Sequence, residues 1–254
     1  MIGEFNRAVR LVLNLAWHDM LTQRKESFLG LVWPVLQAGG LLLAFNLIRG
    51  GFGGIETVLS TYLGVLIWTT ASTVLISNLR ILHTNRELIT HIVFPFAILP
   101  VVDVTVKYMF FLVQIVIAGG IWLMLAPHGQ WPLVLLGLSL YLVAFYLALL
   151  AMAWVASLFG VALPDLSFLL PPVLLLLLAL SPVFQRNAEA MPWAVRVFNE
   201  INPLSVWVDV FYSTVGVGGT GPTVPLLFLA ASVAAVAAAR LLVTAFYREI
   251  TKVI

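Results

Sequence analysis

The sequence predicts an all-α integral membrane protein with six transmembrane helices and an N-terminal amphipathic helix at the membrane surface. Three observations predict it. Uncharged apolar stretches cover Ser27–Ile48, Thr57–Leu79, Tyr108–Pro164, Leu166–Gln185 and Val210–Ala239, and about 20 apolar residues carry a helix across ~30 Å of hydrocarbon. The composition is 62% hydrophobic and 9% charged, with a mean hydropathy of +1.07, outside the range of soluble domains. The cationic residues gather on alternate connections, as cytoplasmic loops of membrane proteins require.

The third apolar stretch holds two spans. Pro127-His128-Gly129-Gln130-Trp131-Pro132 is a turn-forming cluster with an interfacial tryptophan, so one helix is expected to end near Ala126 and the next to start near Pro132. Six spans and their connections nearly exhaust the 254 residues, and one membrane domain over residues 1–254 is expected, with no appended soluble catalytic domain. The absence of cysteine excludes a disulfide framework, a thiolate nucleophile and a cysteine metal site. A formal net charge of only +2 gives no reason to expect a nucleic-acid partner.

The N-terminal segment, residues 1–25, places Arg7, Arg10, Asn14 and His18 at helical spacing, with Val9, Leu13, Ala16, Trp17, Met20 and Leu21 away from that stripe. It reads as an interfacial helix, apolar side towards the headgroup boundary and basic side towards cytoplasm, either a simple anchor or a docking surface for a cytoplasmic partner. Scattered charges argue against a cleavable signal peptide. Arg24-Lys25-Glu26 then marks the start of span one, with Pro34 near its beginning, where it bends the helix only modestly.

Between spans two and three lies residues 80–96, with a polar centre at Asn85-Arg86-Glu87 flanked by Leu82, Leu88, Ile89 and Phe94. A loop that only reversed the chain would need a handful of polar residues, whereas this one mixes apolar and charged positions over about four helical turns. It reads as a short cytoplasmic helix along the membrane, either a bare surface or a knob that fits another protein's groove. Asp103 and Lys107, four residues apart, share one face of span three. Ionisable groups inside a span mark function by default, yet this pair neutralises itself within about three turns of the helix end, so a structural role is favoured over a place on a substrate path. Asp165, beside Pro164 in the turn before span five, is placed to cap a helix. The region from Arg186 to Gly221 is rich in aromatic and polar residues and is expected to form two amphipathic helices at the outer surface.

Orientation follows from the cations. Nine of the 13 fall on one side if the N-terminus is cytoplasmic: Arg7, Arg10, Arg24, Lys25, Arg80, Arg86, Arg240, Arg248 and Lys252. Arg49, Arg186 and Arg196 fall on the other, and Lys107 lies within span three. Both termini are therefore expected in the cytoplasm.

Four motifs occur in order along the chain: Ser27-Phe28-Leu29-Gly30-Leu31-Val32-Trp33-Pro34 after a basic helix, Asn85-Arg86-Glu87-Leu88-Ile89 followed by Phe94-Pro95 and Leu99-Pro100, Ser181-Pro182-Val183, and Asn202-Pro203-Leu204. In this order on six spans, the chain resembles the membrane subunits of ABC exporters of polysaccharides, O-antigens and teichoic acids. The resemblance implies a homodimer in the bacterial cytoplasmic membrane, a nucleotide-binding ATPase subunit beneath each half and a canal for a lipid-linked glycan at the dimer interface. It implies that residues 80–96 transmit the partner's closure, with Arg80, Asn85, Arg86 and Glu87 as contacts, and that the N-terminal helix clasps its side. Residues 186–221 would then hold short re-entrant helices before the last span.

The residues agree that ATP chemistry lies elsewhere. A phosphate-binding Walker loop needs Gly-Lys followed by Ser or Thr, and Lys25, Lys107 and Lys252 follow Arg24, Val106 and Thr251. ATP and Mg²⁺ would thus be held by the partner. An aromatic-lined canal suits sugars, and Trp68, Phe110, Trp122, Tyr141, Tyr146 and Trp154 are the candidates for such a lining, with Asp103 and Lys107 as candidates for its entrance. His18, His83, His91 and His128 are scattered over separate segments, giving no support for a metal site. A secondary transporter or channel independent of ATP is the competing class, but no inverted repeat or unpaired midplane charge is evident. Nor do convergent acids, bases or metal ligands point to a transferase.

Overall fold

The computed structural model describes residues 10, 12, 14–17, 32–48, 51, 53–86, 96–125, 131–184, 192–215 and 223–253. Among them there is no strand. The helices are α1 (Trp33–Ile48), α2 (Ile55–Thr84), α3 (Ile98–Leu125), α4 (Trp131–Ala162), α5 (Leu166–Leu180), α6 (Trp193–Ile201), α7 (Pro203–Thr214) and α8 (Thr223–Val253). Four of these, α2, α3, α4 and α8, are long and apolar enough to cross a bilayer. The chain is thus an all-helical, multi-pass membrane protein. Two more apolar helices, α1 and α5, have 16 and 15 residues, short of the roughly 20 that a span requires.

Helix α2 is the centre of the bundle and packs against α1, α3, α4, α5 and α7. Its sequence carries many hydroxyls, yet it buries them. Thr61, Thr69 and Thr73 donate to carbonyls three or four residues back, so these groups need no water or partner helix. Close approach is allowed by Gly64, whose missing side chain leaves the space taken by the Tyr212 hydroxyl of α7. That hydroxyl donates to Ser60 O at 3.0 Å. The most extensive helix pairing joins α4 to α8. Around Tyr141 of α4, the rings of Phe145, Phe211 and Phe228 lie with centroids 5.2–5.8 Å away, fastening α7 and α8 to α4 by offset and edge contacts.

The two ends of the bundle can be told apart. At one end Leu82 of α2, Phe96 and Val243 of α8 form a buried cluster, and the helical residues 12 and 14–16 lay Val12, Leu15 and Ala16 against Ile98, Val102, Val106 and Phe110 of α3. Arg10, Arg80, Arg86 and Arg240 belong to this end. At the other, Tyr212 meets Ser60, Thr214 sits over Gly137 of α4, and Asn199 of α6 donates to Leu180 O at 2.9 Å. Arg196 belongs there, on α6.

Several boundaries depart from the sequence expectation. Span three starts at Ile98, ten residues before the uncharged stretch, because Pro100 is tolerated in a first helical turn and Asp103 and Lys107 pair with one another. Span five stops at Leu180, since Ser181 precedes proline and is held extended at φ −76°, ψ 163°. The stretch Val210–Ala239 is not one helix: α7 ends at Thr214 and α8 begins at Thr223. The expected two helices of residues 186–221 are present as α6 and α7, but α7 is not a surface helix. Leu204, Trp207, Val208, Phe211 and Tyr212 are buried against the spans.

Candidate functional site

The predicted docking elements converge on the first turns of α3. Residues 80–84 are not part of a separate surface helix as expected. They prolong α2, because Arg80-Ile81-Leu82-His83-Thr84 holds no helix breaker and Leu82 finds a buried place against Phe96 and Val243. Asn85 is the C-cap of α2 and donates its side-chain amide to Ile81 O at 2.8 Å, which makes it a terminating residue of the helix. Arg86 is exposed and helical. Glu87, and the rest of the expected 80–96 helix over residues 87–95, lie outside the described residues. On the N-terminal helix, Arg10 and Asn14 are exposed with Trp17 while Ala16 is fully buried. Its apolar side, expected in the headgroup boundary, is thus in part covered by α3. Arg7 and His18 lie outside the described residues.

Asp103 and Lys107 sit one and a half to two and a half turns into α3, and they do pair. The sequence reading missed what else the carboxylate holds. Its second oxygen, Oδ2, accepts from Ser77 Oγ at 2.8 Å and from Asn78 Nδ2 at 2.7 Å, both on α2. Asp103 is therefore a bolt between helices as well as a counter-ion. The side chains of Lys107 and Asp103 keep only 24% and 19% of their exposure, so this ion pair is partly desolvated and its geometry matters. Asn78 is wholly buried, and its Nδ2 also donates to Val74 O at 2.9 Å. Its Oδ1 meets no partner among the described residues. Turning the amide over would aim that oxygen at a carbonyl and a carboxylate, so the charge on Asp103 fixes the amide orientation.

Further polar bonds fasten α3 to its neighbours. Thr105 spends its proton on Val101 O at 2.7 Å, so the Tyr146 hydroxyl of α4 is the donor in the 3.0 Å contact between them. Tyr108 donates to Leu142 O at 2.7 Å and Tyr62 donates to Gln114 Oε1 at 2.9 Å. These bonds lie at successive heights along α3. The candidate canal aromatics are divided. Trp68 and Tyr141 are closed into the core, Phe110, Tyr146 and Trp154 are partly buried, and Trp154 donates to Ala97 O at 3.0 Å. Of Trp122 only the backbone, in α3, is described.

Two close contacts lock the C-terminal end of α2 to α4. The Leu79 carbonyl occupies the space a side chain at Gly160 would need, and the His83 ring, protonated at Nε2, donates to Gly160 O at 3.3 Å. Asp165 occupies the N-cap position of α5 but its carboxylate makes no capping bond, contrary to expectation, because its helical backbone (φ −65°, ψ −21°) departs from the extended form that side-chain caps adopt. That role is played elsewhere by Asn202, which accepts from Leu204 N at 3.1 Å at the start of α7. Asp209 was also missed. On α7, a helix too short to span, partial burial of its carboxyl pushes it up to about 6.

No family model matches the chain, and no curated protein matches it.

Proposed function

We propose that this chain is the permease subunit of an ATP-driven exporter that moves a lipid-linked polysaccharide, or a related cell-surface glycopolymer such as an O-antigen, capsule or teichoic acid, across the bacterial cytoplasmic membrane. In this reading α1 and α5 complete six membrane crossings, both termini are cytoplasmic, two copies enclose the canal, and a separate subunit binds ATP and Mg²⁺. The observation that carries it is the convergence of the N-terminal helix and the end of α2 on the first turns of α3. A partner that closes beneath the bundle and bears on these segments would move α3 and, through the Asp103 bolt and the Tyr146 and Tyr108 bonds, α2 and α4 with it. The resemblance of the four motifs supplies the substrate class.

The test is purification of the tagged chain from its own cells. A co-purifying subunit should hydrolyse ATP, the chain alone should not, and Arg86→Ala with Glu87→Ala should release that subunit while leaving the spans folded. Unchanged complex formation and export in the double variant would remove these residues from the coupling role.

A further inference from the structure

Arg80 sits where the chain offers a cation among lipid-facing surfaces. Its guanidinium lies 4.4 Å from the centre of the Phe168 ring of α5, in the seam where α2 packs on α5. Among the described residues no carboxylate or carbonyl accepts from it, so its five N–H donors, rigid and planar, are unspent. Phe168 and Leu169 of α5 and Phe159 and Leu163 of α4 are exposed on either side of the turn that joins these helices. Water suits the cation but not the collar; hydrocarbon suits the collar but not the cation. One class of molecule suits both. We propose that Arg80, held over Phe168, is the headgroup site of an anionic phospholipid whose acyl chains lie on the exposed faces of α4 and α5.

The chemistry favours a lipid over a docked protein at this residue. Stacking on an aromatic face fixes the guanidinium plane and leaves its edge free for phosphate oxygens, and basic seams between transmembrane helices on the cytoplasmic side are where anionic headgroups bind. The end of the bundle that carries Arg80 also carries Arg10, Arg86 and Arg240, which is the side expected to face the anionic leaflet. Gly160 and His83 hold α2 against α4 here, so the site is rigid before the lipid arrives. The proposal is independent of the transported substrate and of ATP.

Native mass spectrometry of the purified full chain, titrated with phosphatidylglycerol or phosphatidylcholine, tests it. The wild-type chain should hold its first phosphatidylglycerol about fivefold more tightly than phosphatidylcholine, the preference expected of one cation near the headgroup layer. Arg80→Gln should abolish that preference and Arg86→Gln should keep it. Phe168→Leu, which retains the apolar surface and removes the ring, should weaken it and serves as the deciding variant if Arg80→Gln does not fold. Inorganic phosphate should not displace the lipid. The proposal is overturned if the wild type shows no preference, if Arg80→Gln or Phe168→Leu leaves it unchanged, if phosphate alone competes, or if Arg80→Gln releases an ATPase partner with lipid preference intact, which would assign Arg80 to protein docking.

Discussion

Asn78 of α2 donates to the Asp103 carboxylate of α3 across 2.7 Å, and Lys107 meets the other oxygen of the same carboxylate. This arrangement makes the two charges unequal. Lys107→Met leaves Asp103 two donors on α2, whereas Asp103→Asn strands an ammonium in a partly desolvated place and weakens both bonds to α2. Asp103→Asn is expected to destabilise by about 3 kcal/mol, in the range for breaking a buried pair. Lys107→Met should cost about 1.5–2 kcal/mol, the low end of the range for a hydrogen bond to a charged group. Thermal unfolding of the purified variants in detergent measures both. Equal losses, cancelled completely in the double variant, would mean that the bonds to α2 contribute nothing.

Gly160 leads to a sharper contrast with Gly64. A methyl group at residue 160 meets the backbone carbonyl of Leu79, which cannot turn aside, while at residue 64 it meets the end of the Tyr212 side chain. Gly160→Ala should cost about 3 kcal/mol, at the top of the range for overpacking, and break the His83 bond. Gly64→Ala should cost less. Melting of the two variants side by side checks the order, and a milder effect at 160 than at 64 would contradict the close packing of α2 on α4.

How much of this was legible in the sequence differs by element. Long uncharged stretches announced α2, α3, α4 and α8, and Pro132 marked the start of α4 to within one residue. The boundaries that failed did so for local reasons. Asp103 and Lys107 masked the start of α3 because a paired charge is cheaper in a helix than the composition suggests, and the uncharged stretch after Val210 hid the end of α7. The polar bolt shows a different limit. Residues 103 and 107 are visible as an i, i+4 pair, but Ser77 and Asn78 are 26 and 25 residues before Asp103, and no periodicity relates them. A polar Asn in an apolar helix was the available signal, since a buried amide needs a partner. Asp209 gave less: one carboxylate on a short helix has no pattern to read.

The segregation of cations predicts topology. Arg86 and Arg196 lie at opposite ends of the bundle, and a cysteine introduced at each, on a chain that has none, should be labelled from opposite sides of the membrane. Position 86 should react with an impermeant reagent only after the cells are opened, position 196 without opening. Labelling of both from outside would overturn the reading of which helices cross.

Asp209 predicts a pH dependence whose sign is fixed by its environment. Partial burial raises its carboxyl to about 6 from an ordinary 3.8, so the folded chain disfavours the charged form and binds the proton more tightly than the unfolded chain. Its contribution to stability is therefore lost as pH rises through 6. Asp209→Asn should raise the melting temperature at pH 8, and the gain should shrink below pH 6 and vanish below the ordinary carboxylate range. An effect independent of pH would show that the carboxylate does not titrate in this window.

The central claim is that ATP hydrolysed by a separate subunit drives a lipid-linked glycan through this chain. Inverted membrane vesicles containing the chain and its partner, loaded with the lipid-linked glycan on their outer face, test it most directly by lectin accessibility of the sugar. Added ATP with Mg²⁺ should carry the glycan to the lumen and out of lectin reach, in vesicles whose ion gradients have been collapsed. Movement that needs an ion gradient and ignores ATP would contradict the account and assign the chain to the gradient-driven class.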